Sequence, residues 1–227
     1  MWSLRSPFTH ALLIGALFLP AATILVPSDA AASVSIAVGF ESLVKDADAV
    51  AVITPVDNQS VWEDGRIYTY TKVRVEQGVA GDLGAGADGW VRTMGGVVGK
   101  IGQMVDGEPV FVNNKPSLLF LRKFKAGGVY EVSARAQGQY PITVDEATKT
   151  KKVLRSSAVG MLLPPKNQVA AVSAAPPVAG AVQTQSVGIT DAQKVRLAQE
   201  VMHDKPLDDV AREIATTWKR LHPAPAK

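Results

Sequence analysis

Cysteine is absent from the whole 227-residue sequence. No disulfide can staple the fold, and neither a thiolate nucleophile nor a lipid-modified cysteine is available. Histidine is scarce: His10, His203 and His222 are the only three, which sets aside histidine-based zinc sites. Beyond the first thirty-odd residues, no run is long and apolar enough to span a bilayer as a helix. The formal net charge is only +3. The mild basic cluster of Lys149, Lys151, Lys152 and Arg155 reads as a solvated face, not a nucleic-acid footprint.

What the sequence does carry begins with an address. Arg5 stands in an N-terminal segment free of acidic residues, an apolar stretch covers residues 11–26, and small residues follow over 28–33. That basic, apolar, small-residue order is the pattern of a secretory signal peptide over residues 1–32, with Ala30 or Ala32 as the last residue removed. A retained anchor is the rival, but the apolar stretch contains Pro20 and falls short of the ~20 residues of a spanning helix. The expected location is periplasmic or secreted, with no membrane association expected after cleavage. The mature chain of about 195 residues is long enough to bury a core of its own.

A barrel-like β domain is expected over residues 33–160, with strand signals dominating from 33 to about 145. A short strand is expected at 34–38, two helical turns over 40–47, and a Val/Ile-rich strand from 47 that stops at Pro55. The clearest pattern is a hairpin: residues 61–63 lead into Asp64-Gly65, the dipeptide of a tight primed turn, and residues 66–76 return. Along the return strand Ile67, Thr69, Thr71, Val73 and Val75 alternate with Tyr68, Tyr70, Lys72, Arg74 and Glu76, so one set enters a core and the other faces outward. Tyr68 and Tyr70, with Trp62 and Arg74, form the candidate binding surface. The competing reading makes the tyrosines cross-strand cover for the sheet. Further strands follow at 90–94, 111–112, 117–122, 129–134 and 139–144. With no long helix between them, crossovers of a parallel sheet are not expected. The predicted fold is mainly β: a small antiparallel barrel, OB-like, or a sandwich, with a C-terminal helical hairpin.

Residues 161–188 read as a flexible linker rich in Pro, Ala, Val, Ser and Gln. A two-helix tail is expected over 189–222. Thr190 and Gln193 form a capping box for a first helix that runs to His203, and Pro206 fits the first turn of a second. Leu207, Val210, Ile214, Trp218 and Leu221 recur three and four apart as one apolar stripe. Either it packs within the molecule or it serves as a tail interface for another protein.

Several apparent motifs carry no chemistry. The stretch from Gly95 to Ile101 imitates a phosphate loop, yet Met94 stands where a glycine is needed and Ile101 where Ser or Thr should reach magnesium. Nucleotide binding is therefore not expected. Glu63 and Asp64 are adjacent, which does not place carboxylates across a scissile bond. Asp46, Asp48, Asp145 and Glu146 are not positioned by sequence alone. Ser117, Ser133, Ser156 and Ser157 lack a triad motif. Asn58-Gln-Ser60 is a formal glycosylation acceptor.

The stretches 40–44, 47–52, 63–70, 91–99, 118–122 and 136–140 together resemble a group of exported, uncharacterised bacterial proteins. The resemblance implies an envelope or secreted protein and brings no active-site residues. In strand order the chain is also similar to netrin-like and metalloproteinase-inhibitor barrels of the OB type. Those carry cysteines that this chain lacks, so inhibition through an N-terminal cysteine is not implied. The expectation is a non-enzymatic binding or structural module of the bacterial envelope, without cofactor, whose partner is an envelope protein or glycan. The alternative is an extracytoplasmic hydrolase using carboxylates.

Overall fold

Apolar residues run without interruption through Ala49–Ile53 and Leu118–Leu121, and all nine are buried. A strand half-exposed to water alternates polar and apolar residues, whereas a strand covered on both faces does not. These two segments are the adjacent central strands of the sheet, each with a core on either side. The computed structural model describes residues 34–125, 127–165 and 195–223. The signal-peptide segment, the Thr190/Gln193 capping box and nearly all of the expected linker lie outside the described residues.

In chain order the elements are β1 (Val34–Ile36), α1 (Phe40–Asp46), β2 (Ala49–Glu63), β3 (Arg66–Gly81), β4 (Asp88–Met94), β5 (Gly96–Val98), β6 (Ile101–Gln103), β7 (Ser117–Lys125), β8 (Val129–Val132), β9 (Gln139–Val144), β10 (Lys151–Val153), β11 (Met161–Leu163), α2 (Ala198–Met202), β12 (Lys205–Pro206) and α3 (Leu207–Leu221). The fold is mixed α/β and mostly sheet. One sheet contains eight strands in the order β12-β10-β9-β7-β2-β3-β4-β8, with β8 also paired to β7. Two short pairs, β1 with β11 and β5 with β6, stand apart from it.

The expected self-contained small barrel is corrected by this sheet. β2, β3, β4, β8 and β7 are joined edge to edge, but Ser117–Leu119 of β7 pair with β9 while Leu121–Lys125 pair with β8. The sheet therefore forks at β7, runs out through β9 and β10, and ends on the edge strand β12 without closing. The purely antiparallel expectation also changes, because β4 and β8 pair in parallel.

The Asp64-Gly65 hairpin forms as expected, with φ of 50° and 75° at the two turn residues. β2, however, continues through Pro55. β7 pairs with β2 only over Ala49–Ile53, so Pro55 lies beyond that ladder, where its missing amide breaks no bond to β7 and its carbonyl accepts the Asn114 amide at 2.9 Å. A register shift at Pro55/Asp57 absorbs Val56 as a bulge.

On one face of β2 and β7, Val50, Val52, Leu118 and Phe120 meet Phe40, Leu43 and Val44 of α1 and Met202, Leu207, Val210 and Ile214 from the C-terminal segment. On the other, Ala51, Ile53, Leu119 and Leu121 meet Val73, Val75, Val91, Tyr130 and Val132. The stripe on α3 thus faces inward: Leu207, Val210 and Ile214 are buried, and Trp218 and Leu221 pack at the margin of the same core. As a docking surface for another protein that stripe is already occupied by the molecule's own sheet and α1. The two C-terminal helices both contact α1 and do not form a close hairpin with each other. Arg196 clamps the arrangement, donating from Nε to Glu41 (2.9 Å) and from a terminal nitrogen to Glu213 (2.9 Å).

Helix α2 is also shorter than expected within the described residues. The amide of Phe40 donates to the Arg196 carbonyl and that of Ala198 to Val38, which holds residues 196–197 extended and delays the helix start. Met161–Leu163, expected to open the linker, form β11 in parallel register with β1.

Candidate functional site

Three strands each contribute one charged residue to the same face: Arg92 from β4, Arg122 from β7 and Glu131 from β8. Strand register brings them into a row. Arg122 is opposite Glu131, Glu131 opposite Arg92, and Arg92 opposite Tyr70. Directly opposed residues have side chains within contact distance on one face of a sheet, so the row alternates positive, negative, positive, phenol across four strands.

Arg92 is the centre of the row and is only 9% exposed. One terminal nitrogen donates to Glu131 Oε1 at 2.8 Å, and the other lies 3.3 Å from Glu63 Oε2. Its guanidinium carbon sits 3.5 Å from the centre of the Tyr68 ring and 4.2 Å from that of Phe124, a sandwich that adds cation–π attraction. Its Nε–H has no hydrogen-bond partner. Burial pulls the guanidinium pKa down, but the bond to Glu131 and the charge of Glu63 outweigh it, and the net direction is upward. The Tyr70 hydroxyl donates to Glu63 Oε2 at 2.8 Å, and Arg122 reaches Glu131 Oε2 at 3.3 Å.

A cleft of about 350 Å³ opens over this row. Arg92, Arg122, Glu131 and Tyr68 line it from the sheet, and Glu108 and Arg135 from the loops beside it. Glu108 is fixed at both oxygens: one accepts the Met94 amide at 3.0 Å and the other lies 3.2 Å from Arg135 Nε. Arg122 and Arg135 are well exposed at the mouth.

Of the four residues expected to form a binding surface, the structure brings Tyr68 and Tyr70 to this face. Trp62 is opposite Ile67, on the other face of the hairpin, and is half exposed. Arg74 lies far along β3 and pairs with Asp88 at 3.7 Å. Sequence reading missed Arg92, Arg122, Glu108, Glu131 and Arg135. The one sequence signal was Glu131, the only charge in the short strand VYEV, since a charge flanked by apolar strand residues must find a partner across the sheet.

Other features resolve as structural. The phosphate-loop imitation is the β5–β6 hairpin, with Gly99 in its turn at φ 61°. Gly96 has φ 131°, and a Cβ there would come within 2.3 Å of Thr69 Oγ1 and 2.4 Å of Ser60 Oγ. Close approach to the β2–β3 hairpin requires that glycine. His203 accepts the Arg155 amide at Nδ1 (3.0 Å), which ties the turn after α2 to the sheet. Ser156 donates to the buried Gln139 side chain at 3.1 Å. Asp145 caps its own turn, accepting the amides of Thr148 and Ala147, and those bonds, Thr148 first, hold its carboxyl below the usual range. Among the described residues, no group of three or more metal-ligating side chains converges, and no helix is long and apolar enough to cross a membrane.

No family model matches the chain, and no curated protein or solved structure is significantly similar to it. The comparisons therefore bring no support for an exported-protein family, a netrin-like relationship or an envelope location.

Proposed function

We propose that this chain is a non-enzymatic binding module of the bacterial envelope, acting outside the cytosol, whose ligand enters the cleft over Arg92. The observation that carries the reading is the burial of the Arg92 guanidinium beneath that cleft. A charge at this depth is costly, and well-packed apolar residues commonly stabilise such a site as well or better. Here two carboxylates and two aromatic rings converge on the arginine, and its neighbours Arg122 and Arg135 extend into solvent. Polar groups held on rigid strands beneath an open cleft suit recognition, because their geometry is set before a ligand arrives.

The order of the first thirty residues supports the extracytoplasmic part of the proposal.

Calorimetric titration of the chain against a panel of oligosaccharides and peptides, with each recovered afterwards for analysis, tests the reading. Saturable binding with the ligand recovered unchanged is expected. Recovery of cleaved ligand would overturn the non-enzymatic reading.

A further inference from the structure

We propose that the cleft takes an acidic oligosaccharide, with a uronate-type carboxylate read by Arg122 and Arg135 and ring hydroxyls donating to Glu108 and Glu131. This rests on the binding-module reading above and specifies its ligand.

The charge balance is the first argument. Three guanidinium groups (Arg92, Arg122, Arg135) and two carboxylates (Glu108, Glu131) line the cleft, and Glu63 bonds Arg92 from beside it, giving three of each sign. A run of phosphates or acidic side chains would meet Glu108 and Glu131 as like charges. A sugar acid offers the opposite combination, one carboxylate with several hydroxyls, which needs donors and acceptors side by side.

The second argument is which groups remain available. The two terminal nitrogens of Arg92 are held by Glu63 and Glu131 and its plane lies against the two rings, which leaves only the buried Nε–H. Arg122 uses one terminal nitrogen on Glu131 and Arg135 uses Nε on Glu108, so each guanidinium keeps N–H groups with no further partner among the described residues. Planar guanidinium forks match a carboxylate and bind it in pairs of charge-assisted hydrogen bonds.

The third argument is what the floor of the cleft forbids. β4 is paired on both edges, to β3 and β8, and β8 to β4 and β7. Beyond Arg92 the outward edge of β4 is no longer paired to β8, but the Met94 amide on that edge is already held by Glu108 at 3.0 Å, so a peptide strand would have to displace that bond to add itself to the sheet there. One face of the Tyr68 ring is covered by Arg92 at 3.5 Å, which removes that face as a stacking platform for a proline-rich segment. Recognition has to come from side chains.

The test uses the full chain and three probes: a tetrasaccharide of galacturonic acid, its fully methyl-esterified form, and a glutamate-rich peptide. Calorimetry is run on the native chain, Arg122→Gln, Arg135→Gln, and the control Arg74→Gln, whose side chain pairs with Asp88 away from the cleft. The acid tetrasaccharide is expected to bind, with affinity falling about tenfold or more in each cleft variant and on esterification, since losing one charge-assisted contact is worth about that factor. The control should stay within about twofold, the margin of a surface change away from the contact. Equal binding of acid and ester would overturn the acidic-ligand inference and leave the binding module standing. Preference for the peptide with the same arginine dependence would overturn the glycan assignment alone. If no probe binds and a wider panel of sugars and peptides also fails, both fall.

Discussion

Replacing Arg92 with methionine is the perturbation that probes the site most severely. The substitution removes contacts to Glu131 at 2.8 Å and Glu63 at 3.3 Å, and the stacking on Tyr68 and Phe124. Breaking a fully buried ion pair from one side costs about 3–5 kcal/mol because the partner is stranded. Neither carboxylate is stranded here: Glu131 keeps Arg122 and Glu63 keeps the Tyr70 hydroxyl, and both are about a quarter exposed. That reduces the electrostatic loss to about 1–2 kcal/mol, in line with hydrogen bonds to charged groups. The two ring contacts add about 1–2 kcal/mol, and the apolar methionine returns about 1 kcal/mol by burial. The expected net loss is about 2 kcal/mol, read in urea unfolding as a lower midpoint at unchanged slope. Arg92→Lys should lose roughly half as much, because it keeps charge but cannot bridge both carboxylates. A change below about 0.5 kcal/mol, the size of an ordinary surface substitution, in both variants would refute the claim that Arg92 organises this face.

Ile214→Ala in α3 should cost about 2–5 kcal/mol in the same assay, since the side chain is fully buried and its removal leaves a cavity; a near-neutral result would show that the helix does not complete the core. Gly96→Ala should destabilise by about 1–3 kcal/mol, because the new methyl meets Thr69 and Ser60, whereas Ser60→Ala combined with it should recover part of the loss. Burial pushes the Tyr140 phenol up from its ordinary value. A raised folded pKa means the native state holds the proton longer, so stability is level below about pH 10 and declines as pH rises above it; Tyr140→Phe should flatten that alkaline decline, and an unchanged slope would contradict it.

Local elements were legible where one physical rule dominated. Asp64-Gly65 demands a turn with positive φ whatever surrounds it, and Ile67, Val73 and Val75 declare a buried face by alternation alone. The uninterrupted run Ala49–Ile53 indicated a central strand, but not what covered its second face. That cover is α1 together with the stripe of α3, the latter more than 150 residues away in sequence, and only tertiary packing decides whether such a stripe faces inward or outward. The fork at β7 was invisible for a related reason, as a strand's pattern does not say which partner takes each half of its edge. At the site, Tyr68 and Tyr70 stood out as aromatic residues on a polar face. Arg92, Arg122 and Glu131 did not, because each is an ordinary charge until register places them in one row.

The most direct test of the central claim is to map binding onto the backbone. Amide chemical shifts of the full chain, followed during titration with the galacturonic acid tetrasaccharide, should move first at Arg92, Met94, Arg122, Glu131 and Arg135, with Arg74 and the α3 amides unmoved. Shifts concentrated at Trp62, the β5–β6 hairpin or α3, with the Arg92 row silent, would contradict the account.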